Sequence, residues 1–387
     1  VDPETQPTPP AHDPPQTDAS ESMCLGFPGQ DPEETYRGLK WVFIGPQGLR
    51  AGWSVLIVVS LFLLFGRALS YVIAKLHLIT PGGAFGPRQA FFSELLPLIL
   101  LIVCVAIVAA IERRSILDYN LRGPNPVRHF FSGLVVGFAA LSSLVGTMAW
   151  GGWLHFGPLS LQGSQILKYA AIWGVVFLLV GCFEEGSMRC YLQFTLTRGI
   201  NFWWAAGLIA LMCGSLIFRS RGNGAWGVYV IALLGLVPCF LLQLKKAPSA
   251  GFWQAAWFTS TLFGFGHTSN NGENWIGIFA AAFIGFVFCV SIWLTGSAWW
   301  AIGAHAAWDW AETYFYGTAD SGMVAPGHLL NTTTGGNPLW SGGTDGPEGS
   351  LLIIPIVLLI LAWLLVIYRR PQPAKISAPA ATEQLAS

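Results

Sequence analysis

Long apolar runs separated by short polar stretches dominate this chain. A bilayer demands ~20 apolar residues per helical crossing. About ten spans approach that length, at roughly 52–74, 91–111, 129–155, 169–196, 202–218, 225–243, 251–268, 275–294, 297–316 and 350–368. A membrane-spanning helix satisfies its backbone polar groups internally. The pattern therefore predicts an all-α, polytopic transmembrane bundle of about 8–10 helices. Residues 1–36 are rich in Pro and acidic, and they predict a disordered tail, as do residues 371–387. Residues 1–36 lack the basic and apolar order of a signal peptide, so the first apolar run is the expected insertion signal. Between the tails the pattern divides into helices at 37–164 and a region at 165–320 with a hairpin inserted at about 202–243. A Gly-rich loop at 321–349 and a last helix at 350–370 follow.

Composition strengthens the membrane reading. Only 10% of residues are charged and 53% are hydrophobic, whereas soluble domains carry about 25% charged residues. The 18 Trp and 26 Phe suit helix ends at a membrane interface. Net charge is zero, and no block of Lys and Arg offers a nucleic-acid footprint. With ten crossings, Arg37, Lys40, Arg50, Arg113, Arg114, Arg122, Arg128, Arg198, Lys245, Lys246, Arg369, Arg370 and Lys375 fall on the side of both termini. Only Lys75, Arg88, Lys168, Arg219 and Arg221 fall on the other. The positive-inside rule then predicts cytoplasmic termini in an inner, cytoplasmic membrane. The seven cysteines are scattered, mostly inside apolar runs, and form no CxxC pair. They read as small buried hydrophobes. A reactive Cys182 or Cys190 flanking nearby acids is the alternative.

Three polar sets interrupt the apolar runs. The first is "GCFEEGSMRC", with Glu184, Glu185 and Arg189. Ionisable residues at membrane depth are costly and usually paired or functional. Residues four apart share a helix face, which pairs Glu185 with Arg189. Glu184, rotated by about 100°, is left without that partner. The second set, "TLFGFGHTSN", places His267 one turn after Phe263, with Gly264 and Gly266 leaving room for a helix or a substrate chain. The third, "AIGAHAAWDW", puts His305 and Asp309 on one helix face. Each set alone is equally compatible with a structural ion pair or a satisfied buried histidine. At ~1.5 Å per residue, Glu184 lies about 21 Å from Arg198 and His267 about 24 Å from Gly251, matching depths. His305 is only about 12 Å from Ser297, which fits less well if the turn 294–297 lies at the membrane surface.

EExxxR at Glu184–Arg189, FxxxH at Phe263–His267 and HxxxD at His305–Asp309, in that order on separate helices, resemble the CPBP family. This is also called the Abi or type II CAAX prenyl endopeptidase family of membrane-embedded proteases. "RCYLQ" and "WWAIGAHAAWDW" are similar to bacterial members, and "WSGGTDGPEGS" more weakly so. The resemblance covers about 165–320 and implies that this region is a catalytic membrane domain. It implies Glu184 as the general base that activates water, His267 sharing that water, and His305 polarising the scissile carbonyl or stabilising its oxyanion. Glu185 and Arg189 would hold the site's geometry, and Phe263 would pack beneath His267. The family often has Asn where this chain has Asp309, and an ionised Asp cannot donate to an oxyanion. Asp309 then orients His305 or is itself protonated.

Several functions remain compatible with these residues. The first is an intramembrane endopeptidase acting on a membrane-associated peptide or protein in the lipid bilayer, without nucleic acid. The second is a proton- or ion-coupled transporter, although no internal repeat supports one. The third is a non-catalytic immunity or scaffold protein. The expected hydrolytic mechanism is glutamate-dependent and needs no cofactor. The alternative is zinc held by Glu184, His267 and His305, without the HExxH spacing of the commonest zinc proteases.

Overall fold

Every one of the ten apolar runs folds as a helix in a computed structural model that describes residues 42–45, 48–76, 86–220, 225–270, 272–320 and 322–368. The tails expected at 1–36 and 371–387 lie outside the described residues. The helices are α1 (Ala51–Lys75), α2 (Pro87–Ile111), α3 (Pro126–Trp150), α4 (Ser164–Thr197), α5 (Phe202–Ser220), α6 (Trp226–Leu244), α7 (Ala250–His267), α8 (Trp275–Thr295), α9 (Trp299–Asp309) and α10 (Ile353–Ile367). Two short antiparallel ribbons accompany them, β1 (Ile44–Gly45) with β2 (Gly48–Leu49) and β3 (Leu154–Leu159) with β4 (Leu330–Thr334). The 321–349 segment is thus more than a loop. It supplies β4, a helical turn at Pro338–Ser341 and a 3₁₀ turn at Pro347–Gly349.

Seven of the described helices are long and apolar enough to cross a membrane: α1 to α6 and α8. The chain is a multi-pass membrane protein with an all-α bundle. Helices α9, of 11 residues, and α10, of 15, are too short, and α7 is not apolar enough. Helix α7 buries Gln254, Thr259, Ser260 and Thr261, and α9 is buried along nearly its whole length. Their side chains are selected by protein neighbours rather than by lipid. At the other extreme, α1 leaves Leu63 and Leu64 64% exposed, as a helix facing hydrocarbon does.

Helix α9 carries the third polar set, and small residues seat it. A Cβ at Gly137 would lie 2.1 Å from the Ala304 carbonyl oxygen, and one at Gly133 would lie 2.2 Å from that of Trp300. From the other side, a Cβ at Gly303 would lie 2.2 Å from the Phe130 carbonyl oxygen. Only glycine permits this backbone approach between α3 and α9.

The turn before α9, whose uncharged residues give nothing to anchor it at a membrane surface, is packed inside the protein. Ser297 is fully buried, the Ala298 N–H donates to the Asn120 carbonyl, and the Trp299 indole N–H donates to the Leu121 carbonyl. Loop 119–125 therefore covers this turn, and α9 starts inside the bundle.

Candidate active site

Helices α4, α7 and α9 bring the three polar sets to one cavity of about 570 Å³. Glu184, Phe263, His267, His305 and Asp309 all line it. Directly after Glu185, α4 changes from α to π geometry over Gly186–Leu192. Directly after Asp309, α9 does the same over Trp310–Tyr316. π turns are rare and recur at functional sites.

The two adjacent glutamates have different environments. Glu185 is fully buried, and its carboxylate lies 3.3 Å from Arg189 Nε. Glu184 keeps about a third of its side chain (34%) open to the cavity. Arg189 is also fully buried. Its guanidinium carbon sits 4.2 Å from the centre of the Phe263 ring, close enough for cation–π attraction. Gly285 on α8 makes room for it, since a Cβ there would lie 2.2 Å from Arg189 Nη2. On the loop side, Asn120 Nδ2 donates to the Arg189 carbonyl at 2.7 Å.

His305 joins the two helices chemically. Its Nδ1 is 2.8 Å from Glu185 Oε1, and an ionised carboxylate can only accept, so this nitrogen carries the hydrogen. The other nitrogen, Nε2, is 3.7 Å from Glu184 Oε2 and 3.5 Å from Asp309 Oδ2. One face of the ring stacks on Phe288, with centroids 5.9 Å apart. His267 Nδ1–H donates to the Phe263 carbonyl at 2.8 Å, which leaves its Nε2 as the free nitrogen. Phe263 packs against His267 with centroids 4.7 Å apart, and so separates it from Arg189. The two glycines of this set divide the roles expected of them. A Cβ at Gly264 would meet the Ile278 carbonyl oxygen of α8 at 2.8 Å, whereas Gly266 lines the cavity and has nothing within 4 Å.

The zinc alternative requires one ligand atom each from Glu184, His267 and His305 around a single point. Among the described residues these three do not gather within 4.8 Å of one another. The Nδ1 contact of His305 with Glu185 fits either account, since metal-bound histidines also donate their other ring N–H to a carboxylate.

Further acids line the cavity that sequence reasoning missed: Glu94 on α2, Asp320 and Glu348. Glu94 opens the 91–111 span, and the rule that singled out Glu184 applies equally to it. Asp320 and Glu348 sit in polar stretches, where nothing in the sequence marks them. Both lie beyond the helices, where burial raises their pKa values and neighbouring carboxylates add to the effect. Burial likewise pushes Glu273 up to about 9 and Asp345 up to about 7.

Glu184, His267, His305 and Asp309 thus line one cavity between membrane helices, with Glu185 and Arg189 buried behind them. Residues 239–311 match the family model described as type II CAAX prenyl endopeptidase Rce1-like, and this bears out the resemblance to the CPBP family. The match contains Phe263, His267, His305 and Asp309, and it stops short of Glu184 and Arg189. No curated protein and no solved structure gives a significant match.

Proposed function

We propose that the chain is an endopeptidase that hydrolyses a peptide bond of a membrane-associated substrate, with Glu184 as general base. One observation carries the reading: Glu184 and His305, from separate helices, approach to 3.7 Å in the wall of a cavity that His267 also lines. Peptide hydrolysis requires an activated water and a donor for the developing oxyanion. In this scheme Glu184 removes a proton from water as its oxygen attacks the scissile carbonyl carbon. The free Nε2 of His267 accepts a second hydrogen bond from that water. His305, held through Nδ1–H by Glu185 and carrying a second proton on Nε2, turns Nε2–H toward the carbonyl oxygen and holds its negative charge. Asp309, 3.5 Å from the same nitrogen, orients the ring, so it need not donate to the oxyanion. Glu184 then passes its proton to the leaving amine as the C–N bond breaks. Arg189 acts only through Glu185. The reaction proceeds without a metal at these three residues, in a cytoplasmic membrane with both termini inside. The basic-residue asymmetry supports that orientation.

The test is cleavage of candidate membrane peptides by wild type and Glu184→Gln, each with and without the zinc chelator phenanthroline. The amide keeps the shape but cannot take a proton, and a general base is worth about 10²–10⁴-fold in rate. Glu184→Gln should lose cleavage by that factor while melting normally, and phenanthroline should change nothing. Full cleavage by the variant overturns the mechanism. Loss with chelator and rescue by zinc replaces it with a metal mechanism. Proton-coupled uptake without any cleavage points to a transporter.

A further inference from the structure

Beside Asp309 the cavity ends in a second group of acids that the hydrolytic scheme does not use. Glu312 lies on the π segment of α9, Asp320 on the loop that follows it, and Glu348 on the 3₁₀ turn Pro347–Gly349. One carboxylate oxygen from each lies within 4.8 Å of the other two. Glu312 is fully buried, and among the described residues neither of its carboxylate oxygens has a hydrogen-bond partner. Buried polar atoms are rarely left that way. Two further acids, Asp345 and Glu273, act electrostatically on this group. Among the described residues none of the five is within ion-pair distance of a Lys, Arg or His.

The other two carboxylates of the triplet are held in place from outside. Trp308 Nε1–H donates to Glu348 Oε1 at 2.8 Å, and Thr313 Oγ1–H donates to Asp320 Oδ2 at 2.8 Å. Such outer donors orient metal ligands in known sites. The set is all oxygen and all anionic, which suits a hard divalent cation and not zinc or copper. Calcium bonds oxygen at about 2.3–2.6 Å, so two ligands on opposite sides of it stand about 4.6–5.2 Å apart.

The geometry points to a calcium-type divalent cation site formed by Glu312, Asp320 and Glu348, which ties the two outer chain segments to the end of α9. Bound there, the ion supplies the positive charge the cluster lacks and the missing partner of Glu312. It also fixes the wall of the cavity next to Asp309.

The test is calcium binding to the full chain in detergent, measured by equilibrium dialysis with radiocalcium and by melting in calcium, magnesium or the chelator EGTA. Wild type should bind about one equivalent, saturably in the micromolar to millimolar range of carboxylate sites. It should melt about 3–5 °C higher with saturating calcium than in EGTA. Glu312→Gln and Asp320→Asn should each weaken binding at least ~10-fold. If one of these variants fails to fold, Glu348→Gln at the less buried position provides the same comparison. Glu184→Gln should bind calcium as wild type does, which separates this site from the hydrolytic one. No saturable binding up to ~10 mM, or binding unchanged by these substitutions, overturns the assignment. Melting of wild type that ignores both calcium and EGTA also overturns it, and shared protons then account for the cluster.

Discussion

Gly285→Ala tests whether the position of one guanidinium governs the site. Gly285 belongs to α8, outside the three motifs in sequence, and takes no part in the proposed chemistry. The added Cβ would stand 2.2 Å from Arg189 Nη2, while ordinary contact begins at 3.4 Å. The guanidinium would therefore have to retreat by more than an ångström. A surface arginine could do so at little cost, but Arg189 is fully buried, stacked on Phe263 and paired with Glu185. Overpacking of this kind costs about 1–3 kcal/mol. If the retreat opens the buried pair, the cost rises toward about 3–5 kcal/mol. Glu185 in turn holds His305 Nδ1, so a shift passes to the ring that faces the substrate. Misplacement by about 1 Å costs on the order of 10²-fold in rate. The assay pairs melting in detergent with initial cleavage rates. Gly266→Ala, where nothing lies within 4 Å, provides the control for stability alone, and it should melt within about 1 kcal/mol of wild type. If Gly285→Ala melts and cleaves as wild type does, the guanidinium is not held as described, and the coupling through Glu185 to His305 fails with it.

Arg189→Ala should lower stability by about 3–5 kcal/mol, because it strands the fully buried Glu185 carboxylate; unchanged melting in detergent would count against the pair. The loop acid Glu273 titrates at about 9 when folded against 4.5 ordinarily. The folded state therefore holds the extra proton between those values, and stability falls as pH rises through that window. Melting in EGTA should accordingly decline from about pH 5 to about pH 9, and Glu273→Gln should flatten the decline. A melting temperature that rises over this range would show the shift to have the opposite sign.

Much of this arrangement is legible from spacing alone. The four-residue separations of Glu185 from Arg189 and of His305 from Asp309 place each pair on one face, and the structure has both pairs in contact range. The ten apolar runs mark the ten helices. Three things were not legible, for separate reasons. The buried turn at Ser297 depends on loop 119–125, far away in sequence, and its uncharged residues read equally as surface or interior. The contact of His305 with Glu185 joins two helices, and no helical period encodes contacts between helices. The acids at 320 and 348 lie in Gly-rich polar stretches, where a carboxylate is ordinarily solvated. Their burial follows from β4 and the turns around them, which periodicity does not reveal.

The two π segments have a consequence for length. Each begins directly after a polar residue of the site, Glu185 in α4 and Asp309 in α9. Deleting one residue between Asp309 and Glu312 would let the ladder close in the ordinary α manner. The chain beyond the segment would keep its facing, because the π turn holds one extra residue, while residues inside it would shift around the axis. His305 and Asp309 would keep their places, while Glu312 would turn away from Asp320 and Glu348. A single residue of chain length thus acts as a gear between the hydrolytic end of the cavity and its acidic end, and removing it uncouples the two without altering a side chain in either.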